Sequence, residues 1–242
     1  MKKKLIIFLS VVVLGYLIAS MIYFNKSSKD IICNSVEIVI KDSLTTNFVH
    51  PEDIRATLKK EKAWPVDSLM SNLNLMDIHH AILSNKLVKS AKVYKKGDKI
   101  YANIYQREPV LRVYTNSGEA FYVDRDREVL PVSINFAVHV PVATGIVDEE
   151  FAQNELYDFV SYLKRSSAWD VWIDQIVVKS NRDVVLIPKA GDFKIVFGQL
   201  DQFNEKFSRL ELFFEKGLDV VGWNRYKEIN LKFDNQIVCT RK

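Results

Sequence analysis

The sequence predicts an α+β protein in three parts: a single N-terminal transmembrane helix, a β-α-α-β-β domain, and then a mainly antiparallel β domain that contains two helices. Three observations predict this. No residue from Leu5 to Phe24 is charged. Residues 33–107 place two segments of helical period between alternating strand-like runs. Beyond Pro109, short β-branched and aromatic runs are punctuated by Asn, Asp, Ser and Gly.

The uncharged run is long enough for a bilayer, because twenty residues rising 1.5 Å each reach about 30 Å. A cleaved signal peptide is the competing reading, with Lys2, Lys3 and Lys4 as its basic region and Ala19-Ser20 as small residues near a cut. Its apolar core would be about 7–15 residues long, whereas here it continues through Met21, Ile22, Tyr23 and Phe24, which favours an uncleaved anchor over 5–24. Three lysines ahead of the span hold residues 1–4 in the cytoplasm, although Lys26 and Lys29 beyond it reduce the asymmetry. Everything after a short linker, 25–32, is then extracytoplasmic.

In the following domain, Val36, Ile38 and Ile40 alternate as a strand does. His50-Pro51-Glu52-Asp53 precedes Ile54 and Leu58, and Lys59, Lys60 and Lys62 follow, which is the charge order of a helix start and a helix end. Asn74 caps a second helical pattern that runs to Leu87, with Leu75, Ile78, Ile82 and Leu83 at helical spacing. Val88–Lys95 and Lys99–Gln106 form a hairpin across Lys96-Gly97-Asp98.

The last 135 residues, 108–242, carry strands at 110–115, 120–124, 128–132, 176–179, 184–188 and 193–197. Helices are predicted over 148–164 and 200–216, the second ended by Gly217. The final segment alternates Ile229, Leu231 and Phe233 against Glu228, Asn230 and Lys232, then closes with Gln236-Ile237-Val238-Cys239. A strand so late in the chain is a candidate for a sheet edge.

Charge and motifs exclude several functions. The formal net charge is +4, but five lysines precede the first acidic residue, leaving 29 basic against 30 acidic residues elsewhere. No basic face remains for nucleic acid. His79 and His80 are adjacent and diverge by about 100° on a helix, so they do not chelate as an i, i+4 pair does. Asp124 and Asp126 lie within an Arg125/Arg127 turn and read as a solvated turn, not an acid/base pair. With eight glycines and no GxSxG, HExxH or phosphate-binding loop, the sequence points to no enzyme, no metal, no cofactor and no small-molecule substrate. Cys33 and Cys239 match no metal-ligand spacing; two separate buried thiols is favoured over a bridge. Phe203, Phe207 and Phe214 have core spacing. Trp169, Trp172 and Trp223 suit a core, a partner surface or a membrane interface alike.

Several segments resemble the FtsQ/DivIB bacterial cell-division family. The order of elements over 33–107 is similar to a POTRA domain, and Arg107-Glu108-Pro109 to the family's passage into its β domain. More specific are Phe121-Tyr122-Val123-Asp124 with Val129-Leu130-Pro131, then Val140-Pro141-Val142-Ala143-Thr144-Gly145, then Ile229–Val238, which looks most like the Bacteroidetes branch. Arg127 departs from the family, whose turn usually carries glycine there. The resemblance implies a non-catalytic scaffold of the inner membrane, at the division septum, that binds FtsB-like and FtsL-like bitopic partners and through them influences the septal peptidoglycan synthase. It places partner contact on the last strand, at Lys232, Phe233, Asp234, Asn235 and Gln236. The alternatives are a POTRA-containing secretion or outer-membrane assembly component, which would ordinarily carry several repeats, and a membrane-anchored wall hydrolase, which no residue constellation supports.

Overall fold

The computed structural model describes residues 2–27, 31–41, 48–132, 138–218, 222 and 225–242. Two compact units emerge, Met1–Gln106 and Arg107–Lys242.

In the first unit, Lys2–Ser27 forms helix α1. The side chains described within it run from residue 9 to residue 23, about 22 Å of helix. Among the described residues, therefore, no helix is long and apolar enough to cross a membrane. The expected span over 5–24 extends beyond those side chains, and residues 28–30 of the expected linker lie outside the described residues.

Strand β1 (Ser35–Ile40) lies parallel to β3 (Lys99–Gln106), which is antiparallel to β2 (Val88–Lys96), in the sheet order β1-β3-β2. Helices α2 (Pro51–Lys60) and α3 (Leu75–Leu83) cover it. Local chemistry explains both starts. The Asp53 carboxylate accepts from the His50 N–H at 2.8 Å, and the Asn74 side chain accepts from the Met76 N–H at 3.0 Å. Helix α3 stops at Leu83, earlier than its apolar pattern suggests, because Asn85 turns the chain by accepting from the Leu87 N–H. Ile54, Leu58, Ile78 and Ile82 meet Ile100, Ala102 and Ile104 in the core. The outer strand β2 carries Lys89, Lys92, Lys95 and Lys96, a composition that discourages pairing at that edge.

The second unit is built on a nine-stranded sheet of order β12-β11-β10-β9-β8-β7-β4-β5-β6. Its strands are β4 (Pro109–Thr115), β5 (Ala120–Asp124), β6 (Val129–Pro131), β7 (Val142–Gly145), β8 (Ile173–Val178), β9 (Val184–Pro188), β10 (Lys194–Gly198), β11 (Tyr226–Asn230) and β12 (Val238–Arg241). Three of its strand pairs, β4·β7, β7·β8 and β10·β11, are parallel, so the sheet is more mixed than expected. The cause is topological: parallel neighbours need a long crossover, and the helices supply two of them.

Those helices are α4 (Glu149–Gln153), α5 (Glu155–Arg165), α6 (Ser167–Trp172) and α7 (Phe203–Phe213), the last continued by a π-helical turn over Phe214–Leu218. The single helix expected over 148–164 is broken at Asn154, whose φ and ψ are −110° and −92° and whose side chain donates to the Glu150 carbonyl. Helix α6 was not expected; Ser166 starts it, with its hydroxyl facing the Trp169 N–H at 3.5 Å. Gly217 lies inside the π-helical turn instead of ending α7. A Cβ there would sit 2.9 Å from the Phe213 ring, so glycine admits that ring. Phe159 of α5 and Phe197 of β10 lie 5.0 Å apart, and each meets Phe203 and Phe207 of α7 at 5.3–6.3 Å, so the helical spacing of Phe203 and Phe207 marks a core-facing side as predicted.

Candidate functional site

A sheet can bind another chain through an edge strand, so the two ends of the nine-stranded sheet are the places to look. At one end, β6 is three residues long and finishes on Pro131, which has no N–H to donate. The other end is β12, which hydrogen-bonds β11 on one side and carries no proline. Lys242 N–H donates inward to the Arg225 carbonyl at 3.2 Å. The register of the ladder shifts between Tyr226 and Glu228, with the extra residue, Lys227, on β11; β12 has no extra residue, and alternation along it turns the N–H groups of Thr240 and Val238 toward β11, and those of Cys239 and Arg241 away from it. The outer edge of β12 is a row of backbone donors and acceptors in a strand whose side chains are half-buried to exposed.

Lys232, Phe233, Asp234, Asn235 and Gln236 are not on that strand. They form the loop between β11 and β12, a departure from the alternation that carried Phe233 onto the face of Ile229 and Leu231. Ile229 and Leu231 are fully buried, whereas Phe233 is 45% exposed. Side chains end the strand early. Asn230 Oδ1 accepts from the Lys232 N–H at 3.0 Å, and Asn235 adopts φ +57°, a left-handed turn conformation that asparagine tolerates.

Two clamps hold this loop. Lys232 Nζ reaches Asp183 Oδ2 at 2.6 Å, while Asp183 Oδ1 accepts from Gln199 Nε2 at 2.8 Å. Burial pushes the Asp183 carboxyl up, but hydrogen bonds from Lys232, Asn181 and Gln199, with the Lys232 charge, bring it below the usual carboxylate range. The Lys232 stem crosses Gly198, where a Cβ would stand 2.7 Å from Lys232 Cγ and where φ is +80°. From α7, Arg209 donates to the Phe233 carbonyl at 2.5 Å and to the Leu231 carbonyl at 3.3 Å. Lys232 therefore serves the loop's own structure, whereas Phe233, Asp234, Asn235 and Gln236 are exposed, Phe233 being the apolar member of the set. Sequence reasoning missed Asp183, Gly198 and Arg209, which lie 22 to 49 positions from their partners. At the end of the edge, Lys242 Nζ meets Asp192 Oδ2 at 2.8 Å.

The other candidate residues serve structure. Asp124 is 1% exposed, not solvated, and accepts from Asp126 N–H, Glu128 N–H and Arg107 Nη1 at 2.8–2.9 Å. Arg127 takes the left-handed position of the same turn, φ +65°, without glycine. Its guanidinium bonds the Gln153 carbonyl and Asp158, over the Tyr157 ring. His79 is half-buried and His80 exposed on α3. Cys33 and Cys239 are free thiols, and burial pushes both up, away from the reactive thiolate. Trp169 and Trp172 pack edge to face at 5.7 Å; Trp223 lies outside the described residues. Among the described residues, no group of three His, Cys, Asp or Glu side chains is disposed to hold a metal ion.

Comparison with curated proteins gives no match. Comparison with family profiles gives two. Residues 31–104 match a POTRA-like domain, in agreement with the β-α-α-β-β order, and residues 108–240 match the family described as FtsQ/DivIB, C-terminal related. Since the second match alone covers more than half of the chain, this protein belongs to the FtsQ/DivIB family of cell-division proteins.

Proposed function

We propose that the chain is a non-catalytic scaffold of the division machinery that captures an FtsB-like partner by strand addition to the outer edge of β12. FtsQ/DivIB domains point to a cell-division scaffold. The observation that carries the finer reading is the position of β12 at the end of the sheet, with no further strand beside it among the described residues, against a short β6 end that finishes on Pro131. An incoming extended segment would take main-chain hydrogen bonds from Cys239 and Arg241, and the loop of Lys232, Phe233, Asp234, Asn235 and Gln236 would add an apolar contact through Phe233. Within that contact Lys232 positions the loop, being already engaged with Asp183.

An FtsL-like protein joins through the FtsB-like one, and the septal peptidoglycan synthase is reached indirectly. Residues 5–24, uncharged and part of the helix Lys2–Ser27, anchor the chain once in the inner membrane with its body outside the cytoplasm. Tethering partners to one surface raises their effective concentration, so each contact works at modest affinity.

The test is a pull-down of the full chain in detergent against the extracytoplasmic segments of the host's FtsB-like and FtsL-like proteins. Capture of the FtsB-like segment, lost with Phe233→Asp, is the expected result. Equal capture by both forms would remove the loop from the contact, and no capture by either would refute the scaffold reading.

A further inference from the structure

The sheet of the first unit packs one face under α2 and α3; the side chains of its other face are exposed or half-buried. The strand register gathers on that open face Lys92, Tyr94 and Lys96 of β2, Lys99, Tyr101 and Tyr105 of β3, and Glu37 of β1. We infer that this face docks on the surface of the membrane that holds the chain, against the headgroups of anionic phospholipids.

Charge is the first argument. The body of the protein is nearly neutral as a whole, but this face is not. Lys41 N–H donates to the Ile104 carbonyl at 2.9 Å, which carries the β1 ladder one residue further, and alternation from Ile40 sets Lys41 on the open side. Four lysines then stand against Glu37, whose carboxylate is already paired with Lys99 at 3.1 Å. Asp98, in the hairpin turn, accepts from Asn34 Nδ2 at 3.3 Å. Lys41, Lys92 and Lys96 enter no ion pair among the described residues, so their charge is uncompensated, and clustered lysines close to a bilayer are drawn to anionic lipid. The aromatic content fits the same surface. Tyr94 and Tyr101 stack across the strands at 5.3 Å with their planes 9° apart, and tyrosine rings between lysine stems suit the headgroup layer, where an apolar body and a polar tip are both satisfied.

The tether is the second. Helix α1 ends at Ser27, and the domain takes hold of the chain at once: the Ile31 carbonyl accepts from Met70 N–H at 2.8 Å, and Cys33 N–H donates to the Ser68 carbonyl at 2.9 Å. Four residue steps of at most about 3.6 Å join Ser27 to Ile31, so the domain starts within about 15 Å of the helix end. Docking is therefore intramolecular, and weak contacts suffice for it. Where the tether joins, Ile32 and Leu69 are bridge partners and both exposed, which places apolar surface beside the headgroups.

This inference rests on the anchored reading of residues 5–24, and the test separates the two. The full chain is reconstituted in nanodiscs of phosphatidylcholine, or of phosphatidylcholine and phosphatidylglycerol in equal parts, and the acetylation rate of each lysine is followed by mass spectrometry. The expected result is that Lys41, Lys92 and Lys96 react about threefold more slowly, or slower still, in the anionic discs, and that high salt removes the difference. Lys60, at the end of α2, and Lys62 just beyond it should react alike in both, because α2 covers the opposite face. The Lys92→Gln/Lys96→Gln variant, changed only at exposed positions, should return Lys41 to its rate in neutral discs. Equal rates at Lys92 and Lys96 in the two lipids, equal slowing at Lys60 and Lys62, or undiminished protection of Lys41 in the double variant would each overturn the inference and leave the anchor in place. Failure of the chain to co-purify with the discs would overturn the anchor and the inference together.

Discussion

If β12 accepts a strand, a proline that removes an outward N–H should damage binding and spare the fold, whereas a proline one residue along should damage the fold itself. Cys239 and Arg241 turn their N–H groups away from β11, and Thr240 turns its own toward β11. In Cys239→Pro the β11 ladder keeps its bonds, and the free chain should lose less than about 1 kcal/mol, as edge prolines cost little. In the complex the same change deletes one hydrogen bond, worth about 0.5–1.5 kcal/mol net, and sets a pyrrolidine ring where the incoming carbonyl must approach. A total near 2 kcal/mol corresponds to roughly thirtyfold weaker binding. Thr240→Pro breaks the inward bond and should release β12, lowering the melting temperature; Cys239→Ala controls for loss of the thiol. Calorimetric titration with the FtsB-like segment, paired with thermal melts, separates the variants. Wild-type affinity in a folded Cys239→Pro chain would refute strand addition, and equal melting of the 239 and 240 prolines would refute the assigned alternation.

Three further outcomes follow from the packing. Gly145 ends β7 with φ +114°, and a Cβ there would lie 2.1 Å from the Val178 carbonyl oxygen; Gly145→Ala should cost about 3 kcal/mol or more by denaturant titration, and a loss under about 1 kcal/mol would contradict the close approach. The folded Asp183 carboxyl lies below its unfolded value of about 3.9, so its contribution is complete above about pH 4 and is lost as pH falls through the lowered value. Lys232→Met should therefore cost about 1–2 kcal/mol at pH 7 and make stability less sensitive to acid below pH 4, and an unchanged acid slope would show that Lys232 does not set that carboxyl. Arg127→Ala and Arg127→Gly both lose the bonds to Gln153 and Asp158, but only alanine keeps the left-handed backbone cost, so Arg127→Ala should be less stable than Arg127→Gly by about 1 kcal/mol; the reverse order would refute that backbone cost.

The features legible in the sequence are those whose cause is local. Helix α2 lies where Pro51, Glu52 and the later lysines put it, because capping and dipole interactions act within a turn. The β2–β3 hairpin falls at Lys96-Gly97-Asp98, since a tight turn fixes the register of the strands beside it. The spacing of Phe203 and Phe207 marks a buried helical stripe for the same reason. Family membership, too, was carried by short runs such as Phe121–Asp124 and Ile229–Val238.

Tertiary structure decided whatever depends on pairs distant along the chain. Strand β7 is four residues long and shows little alternation, yet it is held between β4 and β8 by parallel ladders on both sides. Lys232 looked like one more exposed charge beside Phe233 until Asp183, 49 positions earlier, was brought within 2.6 Å of it. Phe233 looked like the continuation of a buried face, but the side chains of Asn230 and Lys232 end the strand before it and leave the ring in solvent. Side-chain period records which way a residue would point if its strand continued; where strands stop, and which of them is last in the sheet, is set by long-range contacts that no window of sequence contains.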